Sequence, residues 1–160
     1  MTKKTQKASS WFWLSMLMIA FDQSAKYAII HHCMIGESIK ILPFLNFTLN
    51  YNTGAAFGVL STESGWQIYF FAALSLAIAT LLIAWLIRIR RSDYVIAIGL
   101  SLVIGGALGN LIDRIRLGYI VDFIDFHIKD WHYATYNLSD TAICIGTFLL
   151  MIHIVFIRKQ

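Results

Sequence analysis

Long apolar runs separated by shorter polar segments make up most of this chain. Four runs reach the length of roughly 20 mainly apolar residues that a helix needs to cross a bilayer: residues 11–30, 66–87, 94–112 and 138–157. The first is interrupted by Asp22 and Lys26, the second carries no charge, the third is rich in Gly, and the fourth holds Asp140 at its start. Between the first two runs the period changes. Asn46-Phe47-Thr48-Leu49-Asn50-Tyr51-Asn52 alternates polar and apolar residues, the pattern of a half-buried strand. Ile39 and Ile41, just before Pro43, predict a partner strand. The chain then turns through Thr53-Gly54-Ala55-Ala56-Phe57-Gly58, whose small residues allow another segment to come close. The expected architecture is a single all-α polytopic membrane domain over residues 1–160, with four transmembrane helices and a small extracytoplasmic β-sheet. Its outer segments are residues 31–65 and 113–137.

Composition agrees with this pattern. Of 160 residues, 58% are hydrophobic and 14% charged, against about 45–50% and about 25% in soluble domains. Disorder and a secreted disulfide scaffold are excluded, the latter because there are only 2 Cys. The net charge of +4 raises the question of nucleic acid, but the placement of the basic residues argues against it. Lys3, Lys4 and Lys7 precede the first run, Arg88, Arg90 and Arg91 separate the second from the third, and Arg158 and Lys159 follow the fourth. An even number of spans puts all three groups on one side, so the positive-inside rule makes both termini cytoplasmic. The N-terminal lysines and apolar run imitate a secretory signal. The run is too long for an h-region, however, and lacks a small-x-small cleavage site, so a retained first helix is expected.

A charge inside a span costs about 2.5–3.5 kcal/mol near the bilayer centre, so each such residue needs a reason. Asp22 and Lys26 share one helix face and can form a structural ion pair. Gly105, Gly106 and Gly109 permit close helix packing. Asn110 and Arg114 share a face, with Asp113 beside them, and can position a substrate or an acid. Asp122 lies in the apolar segment Tyr119-Ile120-Val121-Asp122-Phe123, while Asp140 can simply answer the positive end of a helix dipole. That account leaves unexplained why Asp22, Lys26, Asn110 and Asp140 all fall toward the outer half of their spans. Together they describe one polar site near the outer leaflet. Two aspartates in apolar surroundings can share one proton, one accepting from water while the other donates to a carbonyl oxygen. Peptide hydrolysis by such a dyad uses neither a metal nor a cofactor. A zinc site is disfavoured because His31, His32, His127 and His132 lack an HExxH helix. Cys33 and Cys144 lack metal or redox spacing, and Cys144 is expected to pack as a small apolar residue.

The chain resembles the bacterial lipoprotein signal peptidase family, the signal peptidase II aspartic proteases, over essentially its whole length. The likeness rests on five ordered blocks: Asp22-Gln23-x-x-Lys26; Asn52-x-Gly54-Ala55-Ala56-Phe57; Gly105 to Arg114; Val121-Asp122-Phe123; and Asn137-x-x-Asp140. The resemblance implies Asp122 and Asp140 as the catalytic pair. It further implies that Asn52, Gly54, Asn110, Arg114 and Asn137 line or support the site, with Asp22 and Lys26 as polar elements of the first helix. The implied substrate is a diacylglyceryl-modified prolipoprotein in the bacterial inner membrane, cut on the amino side of the lipidated cysteine. The implied inhibitor is globomycin, and a monomer is expected because one chain supplies the whole site. Two departures stand out. Tyr136 and Ser139 replace the family's usual Phe and Ala before the fourth helix, and Ala25 stands where a hydroxylated residue commonly precedes the lysine. Ser139 is expected to add a hydroxyl beside Asp140. From the residues alone two other functions stay open. A proton-coupled transporter would also use buried acids, and a non-catalytic chaperone for lipidated peptides would share the groove.

Overall fold

The computed structural model describes residues 8–54, 65–90 and 92–157. Ala55, Ala56 and Phe57 of the expected loop, and the basic residues Lys3, Lys4, Lys7, Arg91, Arg158 and Lys159, lie outside the described residues. The described residues form four long helices: α1 (Phe12–His32), α2 (Trp66–Leu86), α3 (Tyr94–Leu117) and α4 (Leu138–Ile152), the last continuing as a π-helical turn over His153–Ile157. Three helical stretches are long and apolar enough to cross a membrane: Trp66–Leu86, Tyr94–Leu117 and Leu138–Phe156. At 21 residues α1 has the length, but Asp22, Gln23 and Lys26 dilute its apolar character.

The helices pack around α3. Its apolar window is 67% buried, against 6% for α2 and 17% for α4, so the outward faces of those two are left to an apolar surrounding. Glycine makes the central position possible. A Cβ on Gly105 would sit 2.9 Å from Met18 Cβ of α1, and one on Gly106 would collide with the Ser139 carbonyl of α4. Packing therefore accounts for these glycines. Against the expected end near residue 112, α3 runs on to Leu117 and stops at Gly118, whose φ of 78° suits a left-handed cap. Asp113 and Arg114 consequently stand on the helix, about one turn past Asn110.

The outer segments build one antiparallel sheet in the order β1 (Ser38–Leu42), β2 (Leu45–Asn52), β3 (Ile120–Ile128) and β4 (Trp131–His132). The strand expected from the alternation and its partner before Pro43 both form and pair antiparallel. A cluster of Ile29, Cys33, Leu49, Val121 and Phe123 joins the sheet to α1. Cys33 is buried in this cluster, whereas Cys144, expected to pack as a small apolar residue, is exposed on α4. The β2–β3 register shifts between Phe47 and Asn50, so that Phe47 faces Ile124 and Asn50 faces Asp122. This bulge inserts one extra residue on β2. Residues opposite one another share a face, so Asn46 sides with Asp125, while Asn50 sides with Asp122 on the other face. Without the bulge, one alternating polar row would have served a single face.

Candidate active site

Asp122 arrives on β3 and Asp140 on the first turn of α4, and the segment between them is stitched back onto the strand. Tyr136 accepts from the Phe123 and Ile124 amides at 3.0 and 2.7 Å and donates to the Ile124 carbonyl at 3.1 Å. That pairing leaves Asn137 between the two acids. As the N-cap of α4, Asn137 accepts from the Asp140 amide at 3.0 Å through Oδ1, and its own amide donates to Asp140 Oδ2 at 3.3 Å, a reciprocal capping box. Its Nδ2 donates to Asp122 Oδ1 at 2.7 Å. One residue thus holds both carboxyls.

Each acid has a further donor. Asn52 Nδ2 reaches Asp122 Oδ2 at 3.1 Å, its Oδ1 being held by the Gly54 amide at 2.9 Å. Asn110 Nδ2 reaches Asp140 Oδ1 at 2.8 Å. Burial drives Asp122 toward its neutral form and the negative charge of Asp140 adds to this, outweighing the amide donors and pushing it up to about 7. The charge of Asp140 thus acts on Asp122, and the two carboxyls titrate as an interacting pair.

Beneath the pair lies a buried ionic cluster. Lys26 Nζ meets Asp22 Oδ2 at 2.8 Å, Asp113 Oδ2 at 2.7 Å and Asn110 Oδ1 at 2.9 Å. Asp22 Oδ1 also accepts the Ser139 amide at 2.9 Å, tying α1 to the start of α4. Arg114 Nη2 donates to the Gly54 carbonyl at 3.2 Å, and its guanidinium lies 5.3 Å from the centre of the Phe71 ring. All nine expected residues thus join one connected polar assembly. Two further members had no role assigned from sequence. Asp113 Oδ1 accepts Gln23 Nε2 at 2.8 Å, and Asp113 Oδ2 accepts the Val121 amide at 3.2 Å. Their signal was available: Gln23 adjoins Asp22, and Asp113 follows Asn110 at i+3, on the same helix face. Ser139 departs from expectation. Its hydroxyl packs against Gly109 and finds no hydrogen-bond partner among the described residues.

No cluster of three or more His, Cys, Asp or Glu side chains among the described residues is placed to hold a metal ion. The arrangement supplies two coupled carboxyls, oriented amides and a fixed cation. Such a set of groups is able to accept and donate protons.

The model of the family described as signal peptidase (SPase) II matches residues 14–156. A lipoprotein signal peptidase of Coxiella burnetii is 60% identical over 152 residues, covering 95% of this chain and 93% of that protein. One from Acinetobacter baumannii is 45% identical over 150 residues, covering 94% and 85%. Two solved bacterial membrane enzymes obtained by the in meso method superpose with TM-scores of 0.85 and 0.83, each at 32% identity. The superpositions cover 97% and 96% of this chain and 93% and 99% of theirs. Sequence, fold and relatives converge: the chain belongs to the signal peptidase II family, membrane proteases that cleave signal peptides from lipoprotein precursors.

Proposed function

We propose that this chain is an intramembrane aspartic endopeptidase in which Asp122 and Asp140 are the catalytic pair. The observation that carries this reading is that Asn137 bonds both carboxyls at once, at 2.7 and 3.3 Å. In the proposed step the ionised member takes a proton from water, the oxygen of which attacks the scissile carbonyl carbon. The protonated member donates to the carbonyl oxygen. Collapse of the adduct breaks the C–N bond, and a proton passes to the leaving amine.

The substrate is a diacylglyceryl-modified prolipoprotein, cut on the amino side of the lipidated cysteine. The cut falls where an acyl-anchored peptide meets the membrane surface, and the exposed apolar faces of α2 and α4 leave the bundle open to lipid. With α1 counted as the fourth span, its Asp22–Lys26 pair turned into the bundle, the basic flanks put both termini in the cytoplasm. The site then lies toward the outer leaflet of the bacterial inner membrane, the sheet on its surface. Asn52, Gly54 and Arg114 hold the peptide over the dyad, where a globomycin-type cyclic peptide competes with it. One chain carries every residue of the site and acts as a monomer.

Purified protein incubated with a diacylglyceryl prolipoprotein and with its unlipidated form tests this directly. Mass spectrometry is expected to place the cut before the lipidated cysteine in the first only. D140N is expected to lose about 10²- to 10⁴-fold in rate while remaining folded in detergent. Full activity of D140N would overturn the dyad. Equal cutting of the unlipidated form would overturn the lipid requirement.

A further inference from the structure

Lys26 is 2% exposed, buried in α1 between two acids, and a structural ion pair would explain Asp22 and Asp113 but not its third contact. An ammonium has three protons to donate and nothing with which to accept. All three are committed: to Asp22, to Asp113 and to Asn110 Oδ1. The third has a directional consequence. A side-chain amide has one accepting and one donating end, and a cation on the Oδ1 end leaves only the NH₂ end for whatever lies opposite. Opposite lies Asp140 Oδ1, 2.8 Å from Asn110 Nδ2.

We propose that Lys26 is a positioning residue, which locks the polarity of the Asn110 amide so that a donor always faces Asp140. The proposal rests on the reading of Asp122 and Asp140 as the catalytic pair and extends it to the control of their protonation. A donor fixed on Asp140 favours its ionised form and opposes a flip that would set a carbonyl against the carboxylate. Asp140 also stands in the first turn of α4, where the helix dipole acts in the same direction. Asp122, on a strand, has no such dipole. Each carboxyl has two donors: Asn110 Nδ2 and the Asn137 amide on Asp140, and the Nδ2 groups of Asn52 and Asn137 on Asp122. The dipole therefore tips a pair that Lys26 and Asn110 keep balanced: Asp140 takes the proton from water and Asp122 delivers one. The charged groups facing the amide are Asp22 and Lys26 from α1, Asp113 and Arg114 from α3, Asp122 from β3 and Asp140 from α4. Helix α2 contributes no charged residue.

The test is the pH dependence of kcat on a lipidated substrate for K26M, N110A and K26M/N110A, with K26R as the conservative variant. K26M is expected to move the acid limb up by about one pH unit and to lower kcat about 10-fold at neutral pH. KM should change less than twofold. N110A should shift the limb similarly, K26M/N110A should shift it no further, and K26R should leave it in place. Because K26M strands two buried acids, K26M/D113N is measured alongside; it removes one charge of each sign and should show the same limb as K26M. A slower enzyme with an unmoved limb would reduce Lys26 to a structural role and overturn the proposal. So would additive shifts in K26M/N110A, which would mean that the charge of Lys26 acts directly on Asp140. Activity retained by D140N would instead remove the dyad itself, a separate outcome read in the same assay.

Discussion

Strand β3 carries two buried aspartates three positions apart, and they have opposite electrostatics. Asp122 is 2% exposed and Asp125 5% exposed. Burial pushes both carboxyls up. At Asp125 that push is outweighed by His132 Nδ1 at 2.8 Å, Thr48 Oγ1 at 3.1 Å and Asn46 Nδ2 at 3.5 Å, and its pKa falls below the ordinary value. At Asp122 the charge of Asp140 reinforces burial, and two amide donors do not reverse it. Solvent exposure alone does not distinguish these two acids; the depth of protein around each carboxyl and its neighbours do. A donor set completed by His132 ties Asp125 into the sheet, whereas a second acid, Asp140, adds to deep burial and leaves the Asp122 carboxyl pushed up to about 7, as the proposed proton transfer needs.

The same substitution at both positions separates the two acids most strongly. D122N is expected to lower the cleavage rate about 10²- to 10⁴-fold, and D125N less than 10-fold, in a lipoprotein gel-shift assay. Comparable losses would mean that the contrast has no catalytic meaning. Next is N137A, which releases both acids on the active face and none on the other. Its cleavage rate should fall about 10²-fold through misplacement of the carboxyls, with a loss of about 1 kcal/mol from the missing helix cap.

Stability against pH sharpens the contrast because the two signs differ. The folded chain holds the Asp122 proton more tightly than the unfolded chain does. Its ionisation therefore costs stability as pH rises from the ordinary carboxylate range through about 7. D122N should remove that cost and melt a few degrees above the parent at pH 8, with little difference at pH 4. Asp125, depressed in the fold, contributes stability above the ordinary range that is lost as pH falls through its folded value. D125N should therefore melt lower at pH 8 and approach the parent in acid. The smallest effect is expected of T48V, which removes one of the donors to Asp125. A loss of about 1 kcal/mol in thermal unfolding, with the cleavage rate unchanged, would place Thr48 with the sheet rather than the chemistry.

Much of this was legible in the linear pattern. The long apolar runs, the period of two in β2 and the crowding of polar residues toward one end of the helices each report a local constraint: the thickness of a bilayer, the pleat of a strand, the cost of a charge in hydrocarbon. Other features depend on contacts between distant segments. The end of α3 at Leu117 depends on Gly118 adopting a left-handed conformation beyond an apolar stretch that had already ended. Cys144 faces outward because Gly146 of α4, not Cys144, meets Gly99 of α3. The Ser139 hydroxyl turns to Gly109 because the two helices touch there.

Residue type and spacing by themselves determined which side chains are able to move a proton and which segments prefer hydrocarbon, since both are properties of single residues and their near neighbours. Only the folded chain decided that the Asp122 and Asp140 carboxyls meet on Asn137 and that Lys26 completes its shell with Asn110. It also decided that a bulge between Phe47 and Asn50 turns one polar row toward two different acids. Those outcomes rest on register and close approach, which no single segment specifies, because a strand has no face and an amide no preferred end until a partner is set against it.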